Sequence, residues 1–193
     1  MERRLAAILV ADVVGFSRLM GNDESGTLVA IKALRKELFG PRVIEHHGRI
    51  VKLMGDAVLV EFSSIVDAVE CAVTVQRDAA KRNEGVVANE RIDMRIGINL
   101  GDVIIEGEDI YGDGVNVATR VEKLAPPGGV ALSATAHEHA AGKIEVVFED
   151  GGERKLKNID KPVRVYLWSE ASPADYQPAG SDKPHPLPIP DKP

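Results

Sequence analysis

The stretch Lys52-Leu-Met-Gly-Asp-Ala-Val-Leu-Val-Glu-Phe62 decides the fold, because two apolar runs flank its central Gly55-Asp56 pair. Apolar runs on both sides of a Gly-Asp pair predict a β-hairpin with a two-residue turn. Gly55 provides the permissive backbone that such a turn needs. Asp56 then places a carboxylate at the tip of the hairpin.

The elements around this hairpin alternate between strand and helix patterns. The continuous apolar run from Leu5 to Ala11 predicts a strand buried on both faces, and this strand ends at Asp12. Apolar residues at helical spacing predict a long helix over about 24–46 and a second helix over about 65–81. A pair of strands is predicted over 91–100 and 102–106, with a turn at Gly101.

This order of elements, βαββαβ, predicts an α+β fold with a ferredoxin-like core. In that topology the third strand lies between the first two and runs antiparallel to the first. The end of the first strand, at Asp12, is then next to the start of the third strand, at Asp56. Two carboxylates that are distant in the sequence are therefore expected to meet at one edge of the sheet.

Extra C-terminal elements are predicted to follow this core. A turn-rich loop after Gly107 leads to a helix from Asp113 to about Leu124, which Asp113 can cap. A short strand, a helix over 134–141 and strands near 144–148 and 163–168 complete the domain, which is assigned to residues 1–169. Residues 170–193 are rich in proline and are predicted to be a flexible tail or linker, leading to a further domain in a longer protein.

Composition excludes several classes of protein. The chain has 193 residues, a net charge of −6 and a single cysteine, Cys71. The acidic balance argues against nucleic acid as the main partner, and one cysteine excludes an internal disulfide framework. No apolar run reaches the ~20 residues that cross a bilayer. We therefore predict a cytoplasmic protein with no membrane partner.

The two aspartates could be solvated turn residues, and Asp12 taken alone is better explained in that way. Their convergence favours a site for a hard cation, because Mg²⁺ prefers one or two carboxylates together with substrate phosphates and water. The turn after Asp12 contains Gly15 and Phe16, where backbone N–H groups can approach a phosphate closely. The chain has neither a Walker-type phosphate loop nor the H-E-x-x-H zinc pattern.

Five segments together resemble the catalytic motifs of the class III adenylate and guanylate cyclases, and they occur in the order of that family across roughly residues 5–168. They are Ala-Asp12-Val-Val-Gly-Phe-Ser, Lys52-Leu-Met-Gly-Asp56, Met-Arg95-Ile-Gly-Ile, Asp109-Ile-Tyr-Gly, and Val-Asn116-Val-Ala-Thr-Arg120. Each motif alone would be weak evidence. The resemblance implies a cyclase that converts a nucleoside triphosphate into a cyclic nucleotide and pyrophosphate.

The resemblance also implies roles for individual residues. Asp12 and Asp56 would hold two Mg²⁺ or Mn²⁺ ions per active site, and these ions activate the ribose 3′-hydroxyl and bind the triphosphate. Arg95 would bind the β- and γ-phosphates, although an outward-facing strand arginine is the simpler alternative. Asn116 and Arg120, four residues apart on one helical face, would orient the ribose and stabilise the transition state. Lys157 resembles the C-terminal phosphate-binding lysine.

Lys52 and Asp109 match the pair that reads adenine in the family. A lysine can donate to N1 of adenine and an aspartate can accept from the N6 amino group. ATP is therefore the expected substrate, whereas guanylate cyclases typically carry Glu with Cys or Ser. The resemblance further implies a head-to-tail homodimer with two composite sites, because this one chain carries every role. The alternatives are a guanylate cyclase and a regulatory module that binds nucleotide without turnover.

Overall fold

The computed structural model describes residues 2–170, and the proline-rich segment 171–193 lies outside the described residues. The strands are β1 (Glu2–Val13), β2 (Arg49–Met54), β3 (Ala57–Phe62), β4 (Met94–Glu106), β5 (Asp109–Tyr111), β6 (Gly129–Ser133), β7 (Glu149–Arg154) and β8 (Val163–Ser169). The helices are α1 (Phe16–Asn22), α2 (Glu24–Leu34), α3 (Gly40–Glu45), α4 (Ile65–Arg82), α5 (Asp113–Glu122) and α6 (Ala134–Ala140), with a π-helical turn at Arg35–Phe39.

All strands belong to one sheet in the order β2-β3-β1-β4-β6-β8-β7, with β5 paired to β4. The first four strands have the ferredoxin-like arrangement, because β3 lies between β2 and β1 and runs antiparallel to β1. The predicted α+β class and the predicted neighbourhood of β1 and β3 are therefore confirmed. The strands β6, β7 and β8 extend the sheet beyond this core.

Alternate residues of β1 enter two different cores, because side chains on a strand alternate between the faces of a sheet. Ala7, Leu9 and Ala11 pack in the larger core with α4 and α6, whereas Ile8 and Val10 pack on the opposite face with α5. Asp12 is the next residue on the same face as Ile8 and Val10. Its side chain therefore lies on the face of the sheet that α5 covers.

Three details of the secondary structure differ from the sequence prediction. The strand pair turning at Gly101 is wrong, since β4 is one strand that pairs with β1 from Glu2↔Ile105 to Val13↔Met94. Gly101 lies within this strand, where α5 packs closely against it. A Cβ at this position would lie 3.3 Å from the Gly114 Cα, which explains why the residue is a glycine. The turn occurs instead at Gly107, which has a φ of 61° and joins β4 to β5.

The other two differences lie in the helical layer and near the C-terminus. The long helix predicted over 24–46 is interrupted by the π-helical turn before Pro41, which has no N–H to donate to a regular ladder. The strand predicted near 144–148 is absent from the described chain. Its apolar residues Ile144, Val146 and Phe148 pack on the larger core without joining the sheet, and the strand begins at Glu149.

Candidate active site

The hairpin of β2 and β3 places Asp56 at its tip, as predicted. Met54 pairs with Ala57, which leaves only Gly55 and Asp56 in the turn, and Gly55 has a φ of 65°. The Arg35 guanidinium, in the π-helical turn, donates a hydrogen bond of 3.1 Å to the carbonyl oxygen of Gly55. This hydrogen bond connects the tip of the hairpin to the helical layer.

Asp12 and Asp56 come together at the end of β1, and both line the same small cavity. Burial and the neighbouring Asp12 carboxylate raise the pKa of Asp56 to about 6. Partial burial also raises the pKa of Asp12, but hydrogen bonds with Asp56 and Lys123 outweigh it and bring the pKa below its ordinary value. The two carboxylates therefore form a like-charge pair, here called the aspartate pair.

The donor set of the aspartate pair fits a hard divalent cation. Two converging carboxylates that resist ionising together gain from any positive charge placed between them. No group of three acidic, histidine or cysteine side chains suited to a metal occurs within residues 2–170. A site with two carboxylates leaves the remaining positions to water and substrate phosphates, which is the usual arrangement for Mg²⁺.

Two cationic residues lie beside Asp12. Arg95 is opposite Asp12 in the register of β1 and β4, and its Nε donates to the carbonyl oxygen of Ala125 at 3.0 Å. The Lys123 ammonium lies 2.5 Å from Oδ2 of Asp12 and 3.0 Å from a carboxylate oxygen of Glu122. Sequence reasoning gave no role to Lys123 or Glu122. Their spacing after Arg120 on α5 was the only signal available.

Lys52 and Asp109 form a second cluster, on β2 and β5. The Lys52 ammonium lies 2.8 Å from Oδ2 of Asp109, and both side chains are about one-third exposed. The hydrogen bond from Lys52 is the main reason that the pKa of Asp109 is lowered. Tyr111 completes this cluster, because the Lys52 ammonium sits 4.8 Å from the centre of its ring. The pairing of Lys52 with Asp109 was expected only from the resemblance.

Three further predicted residues lie on α5 and in the loop before β8. Asn116 is exposed on α5 and Arg120 is half-buried one turn later, while Lys157 is exposed between β7 and β8. Within the described residues, the hydrogen bonds and ion pairs of the aspartate pair involve Lys123 and not these three side chains.

The turn after Asp12 has the backbone that its sequence suggested. Gly15 adopts a φ of 64° and precedes α1, and its backbone is exposed. The Phe16 side chain packs against a small core of Val13, Leu19 and Ile31. The aromatic ring therefore anchors the turn beside the aspartate pair.

Comparison with known proteins assigns the family. The profile of the adenylate and guanylate cyclase catalytic domain matches residues 2–169. This chain belongs to that family. It is 47% identical to a putative adenylate cyclase 3 of Rhizobium meliloti over the whole chain, which covers 33% of that relative. It is also 34% identical to an adenylate cyclase of Streptomyces coelicolor over 68% of this chain and 33% of that relative.

A solved structure shows the same fold. The crystal structure of an adenylate/guanylate cyclase/hydrolase from Silicibacter pomeroyi matches 88% of this chain and 99% of its own with a TM-score of 0.84 and 42% identity. The chain spans about one-third of the length of the curated relatives it matches. Members of this family generally use divalent metal ions, bind nucleotides and dimerise. In the described part of the chain, every helix is too short or too polar to span a membrane.

Proposed function

We propose that this domain is an adenylate cyclase that converts ATP to 3′,5′-cyclic AMP and pyrophosphate. The observation that carries the choice of ATP is the 2.8 Å ion pair between Lys52 and Asp109. The pair presents a donor and an acceptor side by side, which complements N1 and the N6 amino group of adenine. Guanine offers a donor at N1 and an acceptor at C6. The same pair would therefore place a donor against the N1 donor and an acceptor against the acceptor at C6, and neither hydrogen bond could form.

Asp12 and Asp56 would hold the divalent cations, Mg²⁺ or Mn²⁺, two per active site. When bound, such ions lower the pKa of a hydroxyl and neutralise phosphate charge. The carboxylates fix where that positive charge can sit, at the end of β1 and the tip of the hairpin. Arg95 would bind the β- and γ-phosphates, and its position opposite Asp12 in the register of β1 and β4 supports this role.

The reaction needs few side chains beyond these. The ribose 3′-oxygen attacks the α-phosphorus, the bond between the α-phosphorus and the bridging oxygen breaks, and pyrophosphate leaves while the hydroxyl proton passes to solvent. Asn116 would orient the ribose, and Arg120 would offset the charge that builds up on the α-phosphate. Lys157 and the backbone at Gly15 and Phe16 would hold the triphosphate. Catalysis would come mostly from positioning and charge stabilisation.

The site would be completed by a second copy of the chain. We infer a head-to-tail homodimer in which the aspartate pair and Arg95 of one protomer face the Lys52–Asp109 pair, Asn116 and Arg120 of its partner. The exposure of Asn116 on α5 supports this arrangement, because a second protomer could reach its side chain. One protomer alone would then be inactive, and each dimer would contain two equivalent sites.

Incubation of the purified protein with ATP or GTP and Mn²⁺, followed by separation of the products, tests the proposal. We expect cyclic AMP and pyrophosphate from ATP, with much less product from GTP. Preferential formation of cyclic GMP and pyrophosphate from GTP would favour a guanylate cyclase. Binding of ATP without any cyclic product would favour a regulatory module that has kept the fold.

A further inference from the structure

Lys123 contacts the aspartate pair, although it belongs to none of the segments on which the family resemblance rests. Its ammonium lies 2.5 Å from Oδ2 of Asp12 and 3.0 Å from Oε2 of Glu122. The other oxygen of Asp12, Oδ1, accepts the backbone N–H of Val13 at 2.9 Å. The oxygen that Lys123 contacts is therefore the one left without a backbone donor.

Glu122 is the second carboxylate that contacts the Lys123 ammonium. The Glu122 side chain is 1% exposed, and its Oε1 has no hydrogen-bond partner among the described residues. Its backbone packs against Gly97 of β4 so closely that a Cβ on Gly97 would lie 2.2 Å from the Glu122 nitrogen. A buried carboxylate fixed in this way attracts the neighbouring ammonium and directs it over Asp12.

The Lys123 side chain is much more exposed to solvent than the carboxylate that it contacts. Its side chain is 54% exposed, whereas that of Asp12 is only 15% exposed. Lys123 also caps the C-terminus of α5, where no further helical turn confines its methylene groups. The ammonium can therefore leave Asp12 without any rearrangement of the helix.

We propose that Lys123 is a built-in competitor for the metal: its ammonium neutralises Asp12, and a divalent cation must displace it to bind the aspartate pair. The Lys123 ammonium occupies Oδ2 of Asp12, and it would repel a divalent cation that approaches this same oxygen. The lysine then lowers the affinity for the metal. In the metal-free protein, its positive charge reduces the repulsion between the two carboxylates. This inference rests on the proposed metal site.

The experiment measures Mn²⁺ affinity by electron paramagnetic resonance of the full chain, without nucleotide. Replacing Lys123→Met keeps the apolar stem and removes the charge, so Mn²⁺ should bind about tenfold more tightly, given screening by solvent. Lys123→Arg keeps the charge and should bind Mn²⁺ about as the wild type does. Lys155→Met removes an exposed charge elsewhere and is the matched control. Circular dichroism checks folding, with Lys123→Gln as the second variant.

Equal or weaker Mn²⁺ binding by Lys123→Met and Lys123→Gln would overturn the inference. That result is distinguishable from failure of the metal site itself, which Asp12→Asn reports. If wild-type protein shows no Mn²⁺ binding that Asp12→Asn removes, the metal site fails and this inference fails with it. If Asp12→Asn removes the binding and Lys123→Met leaves it unchanged, only the role of Lys123 fails.

Discussion

The aspartate pair and the Lys52–Asp109 pair use the same side chain, aspartate, in opposite electrostatic settings. Asp56 faces another carboxylate, and its pKa is raised to about 6. Asp109 faces an ammonium 2.8 Å away, and its pKa is lowered. The first cluster has two carboxylates and one contacting ammonium, that of Lys123, whereas the second has one carboxylate and one ammonium and is neutral within one chain. The difference separates a region suited to binding cations from a region suited to reading an uncharged group by hydrogen bonds.

The largest expected effect is the loss of turnover in Asp12→Asn. Asparagine keeps the shape of the side chain but removes the charge that would hold a divalent cation. We expect cyclic nucleotide formation to fall to the background of the assay. Asp160→Asn, an exposed aspartate far along the chain, is the control and should retain activity. Substantial activity in Asp12→Asn would contradict the assignment of the metal site.

Mixing two inactive variants tests whether the two clusters act across a dimer. Asp56→Ala removes one half of a composite site and Arg120→Ala removes the other half. In an equal mixture that exchanges freely, half of the dimers carry one intact site, so activity should recover to about a quarter of the wild-type value. Each variant alone stays inactive. No recovery, despite subunit exchange shown by differently tagged chains, would place both halves within one protomer.

Exchanging the second cluster should change the base that the enzyme accepts. The double variant Lys52→Glu with Asp109→Ser reverses the donor and acceptor pattern, so the ratio of cyclic GMP to cyclic AMP formation should rise by at least about tenfold. Either single variant should lose activity with ATP without gaining activity with GTP. Competition assays with both nucleotides measure this ratio. An unchanged ratio in the double variant would show that another part of the site selects the base.

The smallest effect is a change of stability with opposite sign at the two clusters. Asp56→Asn removes a like-charge contact and should raise the melting temperature of the metal-free protein. Asp109→Asn breaks a partly exposed ion pair and should lower the melting temperature by the equivalent of about 0–1 kcal/mol. Calorimetry in EDTA at pH 7.5 measures both variants. Shifts of the same sign would contradict the electrostatic contrast.

The pH dependence of the same measurement sharpens the contrast. The folded-state pKa of Asp56, about 6, lies above the ordinary value of 3.8. Between pH 3.8 and pH 6 the folded protein therefore binds a proton that the unfolded chain has lost. The contribution of Asp56 to stability is therefore present at low pH and decreases as the pH rises through 6. Asp56→Asn should remove that part of the pH dependence, whereas Asp109→Asn should leave it.

Much of the fold could be predicted from local patterns in the sequence. The buried run before Asp12 and the Gly55-Asp56 turn fixed β1, β2 and β3, and the topology brought the two aspartates together. Gly101 misled because a glycine within a strand signals either a turn or a close contact with another element. Here the contact is with α5, which is more than ten residues away in the sequence. Only the packing of the folded chain distinguishes a turn at Gly101 from a close contact with another element.

The site was predicted less completely, and for a related reason. Lys52 and Asp109 could be matched to motifs, but the contact of Lys123 with Asp12 joins residues 111 positions apart. A lysine at the end of a helix is ordinarily solvated, and the spacing of Lys123 after Arg120 did not distinguish it from a solvated residue. Its position depends on the burial of Glu122 against Gly97, which is a property of how α5 packs on β4. The roles of Arg95, Asn116, Arg120 and Lys157 stay predictions.

The pairing of Lys52 with Asp109 also constrains how this domain can evolve. A single substitution at either position leaves a partly buried charge without its partner. Under the proposed function, an intermediate of that kind would bind neither base well, and a change of nucleotide would need both substitutions. Two side chains that form an ion pair with each other would thereby make the choice of substrate resistant to single mutations.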